Sequence, residues 1–293
     1  MAPDVLCIGS VLWDVIGRPD PRVARRMARG DDLPGRVVRV PGGVALNVAV
    51  TLRRFGMRPA LLGAVGQDAE GDALIESCRA VGLCTAHLTR MPDPTDRFVA
   101  IEGPEGVMGA IADARTLEAA GARILDPLAD GRLDRPWRGP VALDGNVTEA
   151  LLREIATSPL LAEADLRVVP ASPGKAGRLR AMLGHPRAVL YLNLEEVSIL
   201  LRRTLADAPD AARALVRAGA RRALVTDGPR PAADATAERV LLATPREVKP
   251  VRLLGAGDAF MAAHIAAEAR GLGGEEALAL AIGAASDHVA GHG

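Results

Sequence analysis

The stretch LLGAGDAFMAAHIAAEARG, from Leu253 to Gly271, sets Gly255, Ala256 and Gly257 directly before an acid, Asp258, and follows the acid with an apolar, alanine-rich run. Small residues leave backbone N–H groups bare, and together with the positive end of a helix they form a cradle for a phosphate. A carboxylate beside such a cradle can take a proton from an attacking hydroxyl. The same residues also fit a local role, with Asp258 capping the helix and Gly271 ending it. The stretch alone leaves both readings open.

Three further groups of polar residues could join it. Asp14 follows the apolar run VLCIGSVLWD. In PGGVALNVAVTLRRFG, Gly42 and Gly43 open a helix and Asn47 stands one turn in, facing back toward the same crevice. In NLEE, Asn193 and Glu196 are three apart, on one face of a helix start.

To bring these groups together the chain needs a scaffold that ends its strands along one edge. The short runs VLCIGSV, ALLGAVG, PVALDG, LRVVPAS, AVLYLN and RALVTDG alternate with alanine- and leucine-rich segments. That rhythm predicts an α/β protein with a doubly wound, Rossmann-like, mainly parallel sheet and helices on both faces. Ligands of such sheets sit outside the carboxyl ends of the strands. Asp14, Asp144, Asn193, Asp227 and Asp258 all fall at or just beyond such ends.

Two segments break the rhythm. GRVVRV, from Gly35 to Val40, alternates, and RFVAIEGPEGVMGAIA reads as two alternating runs about a Gly-Pro-Glu-Gly turn. Both predict antiparallel strands added to the parallel core, which together form a small β lid. The arginine-rich RVARRMARGDD, between Arg22 and Asp32, reads as a solvated connection. The expected organisation is one domain over 1–293, with a discontinuous lid at about 15–41 and 91–114.

Composition narrows the classes. With 293 residues, 49% of them hydrophobic, the chain can fill a sizeable core. A formal net charge of zero and only 2% aromatics give no reason to expect nucleic acid or an anionic membrane as partner. Cys7, Cys78 and Cys84 are odd in number and form no CxxC pair, which predicts neither a disulfide framework nor a zinc site and fits a reducing cytoplasm. The first residues carry Asp4 and Asp14 but no basic segment, so they read as a buried strand and not as a signal peptide. No uncharged run is long enough to span a bilayer.

Five motifs in order carry a resemblance: GG with the following Asn and its LRRFG ending, GAVGQDAEG, the NxxE of Asn193 and Glu196, VTDG, and GAGDAF. On these the chain resembles the ribokinase (pfkB) family of ATP-dependent sugar and nucleoside kinases over nearly its whole length. The resemblance implies a ribokinase-like fold, with ATP and Mg²⁺ as cofactors and a small-molecule nucleoside or sugar as partner. It makes Asp258 the catalytic base, and the backbone of Gly255, Ala256 and Gly257 the anion hole. Asp14, Gly43 and Asn47, with Gly42 beside them, would grip the acceptor's vicinal hydroxyls. Asn193 and Glu196 would organise magnesium and its waters, and Thr226 and Gly228 would form the nucleotide-binding turn.

Within the family, LPGRVVRVPGGVALNVAV, IADARTLEA, LDGNVTEALL and VVPASPGKAGRL are most similar to the pseudouridine kinases. That likeness implies transfer to a nucleoside 5′-hydroxyl, adds Asp144 and Asn146 to the acceptor side, and sets Lys175 and Ser172 by the nucleobase or the nucleotide. Another sugar or nucleoside kinase of the family is the alternative, and a non-catalytic ligand-binding protein is the alternative of another class. There are departures. Arg252, Leu253 and Leu254 replace the usual Asp-Thr-Thr before GAGD, TDGPRPAAD lacks a second glycine, and Asp96 follows Thr95 where an apolar or small residue is usual. Arg252 stands where relatives carry a potassium-holding carboxylate, so no K⁺ requirement is expected. The free edge of the hairpin from Arg97 to Ala112 could pair two subunits as a homodimer.

Overall fold

The computed structural model describes residues 2–20, 22–23, 32–103 and 106–292. Most of the arginine-rich connection and the tip of the Gly-Pro-Glu-Gly turn lie outside the described residues. The strands are β1 (Val5–Ile8), β2 (Leu12–Pro19), β3 (Gly35–Gly42), β4 (Pro59–Leu62), β5 (Ala64–Gly66), β6 (Thr89–Met91), β7 (Arg97–Gly103), β8 (Gly106–Asp113), β9 (Pro140–Asp144), β10 (Asp165–Val169), β11 (Ala188–Asn193), β12 (Arg222–Asp227), β13 (Arg230–Ala235) and β14 (Val240–Ala243). The helices are α1 (Val44–Arg54), α2 (Ala69–Ala80), α3 (Arg115–Ala120), α4 (Asp126–Ala129), α5 (Glu149–Thr157), α6 (Leu194–Leu201), α7 (Ala208–Arg217), α8 (Ala256–Ala269) and α9 (Glu275–Val289).

Eight strands form the main sheet in the order β14-β13-β12-β11-β10-β9-β1-β4. The six expected core strands, β4, β1, β9, β10, β11 and β12, all run parallel. Successive side chains of a strand point to opposite faces, and here both faces are covered. In β1, Val5 and Cys7 enter the core beneath α1, α2, α8 and α9. Leu6 and Ile8 enter the core beneath the helices from α3 to α7. Burial on both sides is why these strands read as continuous apolar runs and not as alternating ones.

The antiparallel pair β13 and β14 extends the sheet at one edge. RPAADA and VLLA carry little β-branched character, so nothing in their composition announced them. Their placement follows from a two-residue reversal in which Asp227 pairs with Arg230 and Gly228 takes a φ of 57°.

The lid is a separate four-stranded sheet, ordered β3-β2-β7-β8. Its outer pairs are antiparallel as expected, and its central pair, β2 with β7, is parallel. One face turns Ile16 and Ala100 inward, where both are buried. The other leaves Val37 at 75% and Ile111 at 72% exposure, with Val99 and Ile101 beside them. Met91 belongs to β6, which pairs with β5 in a separate two-stranded sheet, and β7 begins at Arg97. No helix among the described residues is long and apolar enough to cross a membrane.

Candidate active site

The carboxyl edge of the main sheet gathers the polar residues. Ser10 lies two residues beyond β1, beside Asp144 at the end of the neighbouring strand β9. Its N–H and hydroxyl both donate to Asp144 Oδ2, at 2.8 and 2.5 Å. Its Oγ in turn accepts from the Val44 N–H at the mouth of α1, at 2.9 Å, and from Asn146 Nδ2 at 3.0 Å. Asn146 also gives its backbone N–H to Asp144 Oδ1 at 2.8 Å. Ser10 therefore ties β1, β9 and α1 into one unit. The sequence reading missed this residue, whose one signal was a serine two positions after a strand.

The two residues expected on the acceptor side both belong to this clamp. Asp144 is 1% exposed, its oxygens accept from Ser10 and Asn146, and its charge is felt at Asp258. Asn146 is likewise spent internally, with its Oδ1 accepting from Lys175 Nζ at 2.5 Å. Lys175 thereby reaches the clamp at the end of β9. Burial and the nearby Arg178 guanidinium push the Lys175 ammonium below its ordinary range. Ser172 starts the short helical turn that carries Lys175, and its side chain makes no capping bond.

Helix α8 begins at the motif that opened the sequence. Gly255 is its N-cap at φ 89°, a conformation that a side chain rarely tolerates. Asp258 is the third helical residue and caps nothing, so that half of the local reading fails, while Gly271, at φ 82° just past the last turn, does end the helix. The Ala256 N–H turns back to the Leu253 carbonyl at 3.3 Å, whereas the N–H groups of Gly257 and Asp258 donate to no backbone carbonyl among the described residues. Within the stretch expected to form a cradle, the Gly257 N–H and the adjoining Asp258 N–H are thus the ones left open. A Cβ built on Gly257 would meet nothing within 4 Å, so packing does not explain this glycine. Open space over bare N–H groups at a helix start is what an incoming phosphate requires.

Helix α1 supplies the facing residue. Asn47 Nδ2 donates to Asp258 Oδ2 at 2.9 Å and fixes the carboxylate at the cleft. Asp14, from lid strand β2, arrives beside Gly42 at the end of β3. A Cβ on Gly42 would lie 2.1 Å from the Asp14 carboxylate, so only glycine lets the acid sit there. Burial raises the Asp14 carboxyl to about 6, against the Arg252 guanidinium, which lowers it. The Arg252 guanidinium is thus near enough to Asp14 to favour its ionised form. Its backbone N–H is held by the Val289 carbonyl at 3.1 Å.

Burial is also the main cause that lifts Asp258 to about 7, with Asn47 opposing and Asp144, Asp14 and Glu196 adding like charge. Farther along the same edge, Asn193 and Glu196 close a reciprocal cap on α6, each accepting at 2.8 Å from the other's backbone N–H. Burial pushes Glu196 up to about 7, although the Asn193 N–H lowers it. Thr226 pairs in register with Asn193 on the adjacent strand, and Gly228 follows in the β12–β13 reversal. No group of three acidic, histidine or cysteine side chains among the described residues could hold a metal by itself. A single buried carboxylate can suffice for Mg²⁺, which keeps its waters and takes most other ligands from nucleotide phosphates.

The other expected motif residues have local work. Asp68 of GAVGQDAEG caps α2 through the Gly71 N–H at 2.7 Å and receives the Thr95 hydroxyl at 2.5 Å. Asp96, the residue out of pattern, accepts the Thr116 and Leu117 N–H groups at 2.8 and 2.9 Å and anchors α3 to the base of the lid.

The family profile of the pfkB family carbohydrate kinases matches residues 2–293. The chain belongs to this family. It is 29% identical over 262 residues to an uncharacterized sugar kinase of Escherichia coli, covering 87% of this chain and 69% of that protein. It is 26% identical over 289 residues to the ribokinase of Bacillus subtilis, covering 97% and 92%. Similarity to the pseudouridine kinase of Arabidopsis thaliana is 33% over 69 residues, only 24% of this chain and 17% of that protein. Among solved structures, a carbohydrate kinase from Agrobacterium tumefaciens superposes with a TM-score of 0.77 at 25% identity, covering 96% and 89% of the two chains. The Arabidopsis thaliana ribokinase complexed with ribose and ATP superposes at 0.75 with 19% identity, covering 99% and 93%. The fold is ribokinase-like, and the pfkB chain is an ATP-dependent sugar or nucleoside kinase.

Proposed function

We propose that this kinase transfers the γ-phosphoryl group of ATP to the 5′-hydroxyl of a nucleoside, with pseudouridine as the favoured acceptor. The observation that carries the chemistry is the Asp258 carboxylate, held by Asn47 beside a helix start whose Gly257 faces open space. In this reading Asp258 takes the hydroxyl proton, and the N–H groups of Gly257 and Asp258 receive charge that develops on the transferred group. Asp14 and Asn47 bond the acceptor's vicinal hydroxyls, and Gly42 and Gly43 let the acceptor approach the backbone. Thr226 and Gly228 flank the nucleotide, and Asn193 positions Glu196 toward the waters of Mg²⁺. When bound, Mg²⁺ neutralises phosphate charge that would otherwise oppose the carboxylates.

Support for the nucleoside comes from the LDGNVTEALL and VVPASPGKAGRL segments, which meet in the Asn146–Lys175 contact, and from the short match to a plant pseudouridine kinase. The long match to a bacterial ribokinase favours ribose as the second reading. A coupled ADP-release assay over pseudouridine, uridine, adenosine, ribose and fructose separates them. Pseudouridine should give the highest kcat/KM by at least about tenfold. Preference for a free sugar would overturn the nucleoside assignment and leave the kinase chemistry intact. The apolar outer face of the lid supports pairing of two subunits there, and sedimentation showing only monomer at working concentration would remove that proposal.

A further inference from the structure

A second hollow lies away from the carboxyl edge of the sheet. A cavity of about 650 Å³ lies at the opposite edge, against the amino ends of β10, β11 and β12 and the last turns of α8. Its walls are Asp165, Arg167, Arg187, Arg221, Arg222 and Glu268, closed by Pro186 and Val189. Four guanidinium groups thus share one hollow with two carboxylates.

The two inner arginines are fully engaged. Arg167 donates to Asp165 Oδ2 at 2.8 Å, to Glu268 Oε2 at 2.5 Å and to the Tyr191 hydroxyl at 3.1 Å. Arg222 grips Asp234 with two bonds of 2.8 and 2.6 Å and reaches Glu268 Oε1 at 2.6 Å. Both carboxylates of the wall are therefore already matched, and Asp234 behind them as well. His264, fully buried between Tyr191 and Arg222, is pushed down to about 4 by burial and adds no positive charge. The two outer arginines are different. Arg187 and Arg221 are exposed at the rim, and neither has a carboxylate partner among the described residues. The inner network is a rigid, satisfied floor, and the unspent positive charge stands at the mouth.

We propose that this hollow is a second binding site, distinct from the catalytic cleft, for a small phosphorylated anion held by Arg187 and Arg221 over the Arg167–Glu268–Arg222 floor. A planar guanidinium fork matches phosphate oxygens in pairs, and a volume of this size accepts a small metabolite. The carboxylates of the floor disfavour an anion seated deep, so the phosphate group sits at the rim and the rest of the molecule points inward.

Calorimetric titration of the full chain with pyrophosphate, at constant ionic strength, tests the site. The Arg187→Ala/Arg221→Ala variant should lose at least about tenfold in affinity for pyrophosphate, because two charge-assisted contacts vanish together. Its ADP release should stay within about twofold of the parent, since neither residue lies in the catalytic cleft. The Arg187→Lys/Arg221→Lys variant, which keeps charge but not the fork, should bind with intermediate affinity. Inorganic phosphate, sulfate and a nucleoside monophosphate in parallel titrations identify which phosphate source the site prefers. Pyrophosphate affinity unchanged in the alanine variant would overturn the proposal, as would a heat that never saturates. Neither result depends on which acceptor the kinase phosphorylates.

Discussion

At the scale of single residues, burial sets the properties of Asp258. A carboxyl at about 7 is half ionised near neutrality, which suits a general base, so kcat/KM should rise with pH through about 7. Stability should run the opposite way. The folded value lies above the ordinary value near 4, so its stabilising contribution is complete below about 4 and is lost as pH rises through 7. Asp258→Asn removes that loss, and the variant should melt above the parent at pH 8 but not at pH 4, which thermal unfolding at the two pH values checks. Gly257→Ala isolates the cradle. Alanine favours the helix and meets no neighbour, so Tm should hold or rise, while the methyl group occupies the phosphate position and turnover falls by at least about 10²-fold. Retained turnover would remove Gly257 from the site. Asp258 and Asn47 were legible because their motifs fix them at helix starts. Ser10 and the inward turn of Asp144 were not, because a sequence shows that a residue ends a strand but not what its side chain faces.

At the scale of elements, the site depends on lid strands β2 and β3 closing against α1. Gly42 is the joint. Gly42→Ala would drive a Cβ into the Asp14 carboxylate, displacing the acid that faces the acceptor. KM for the acceptor should rise by about tenfold or more, with ATP binding unchanged, as steady-state kinetics with each substrate varied in turn would show. An unchanged acceptor KM would mean that Asp14 does not touch it. The six parallel strands were readable because burial on both faces demands apolar runs. β13 and β14 were not readable, since alanine-rich edge strands owe their place to a tight reversal and to pairing. The parallel contact of β2 with β7 was equally hidden, because it joins segments far apart in sequence and only alternation is visible within each.

At the scale of the whole molecule, the raised carboxylates Asp14, Glu196 and Asp258 gather at the carboxyl edge of the sheet, and the Arg167–Glu268–Arg222 network lies at its amino edge. The Arg252 charge lies with Asp14 on the catalytic side, and a guanidinium binds no cation. Turnover should therefore be equal within about twofold in sodium, potassium and tetramethylammonium buffers of matched ionic strength, and strong activation by potassium would contradict this placement. The account as a whole rests on one carboxylate acting at one helix start, and a paired measurement on Asp258→Asn tests it most directly. ADP release with the best acceptor should fall by at least about 10³-fold, while binding of a fluorescent ATP analogue stays within about threefold of the parent. A variant that kept more than about a tenth of the parental turnover would contradict the assignment of Asp258 as the base.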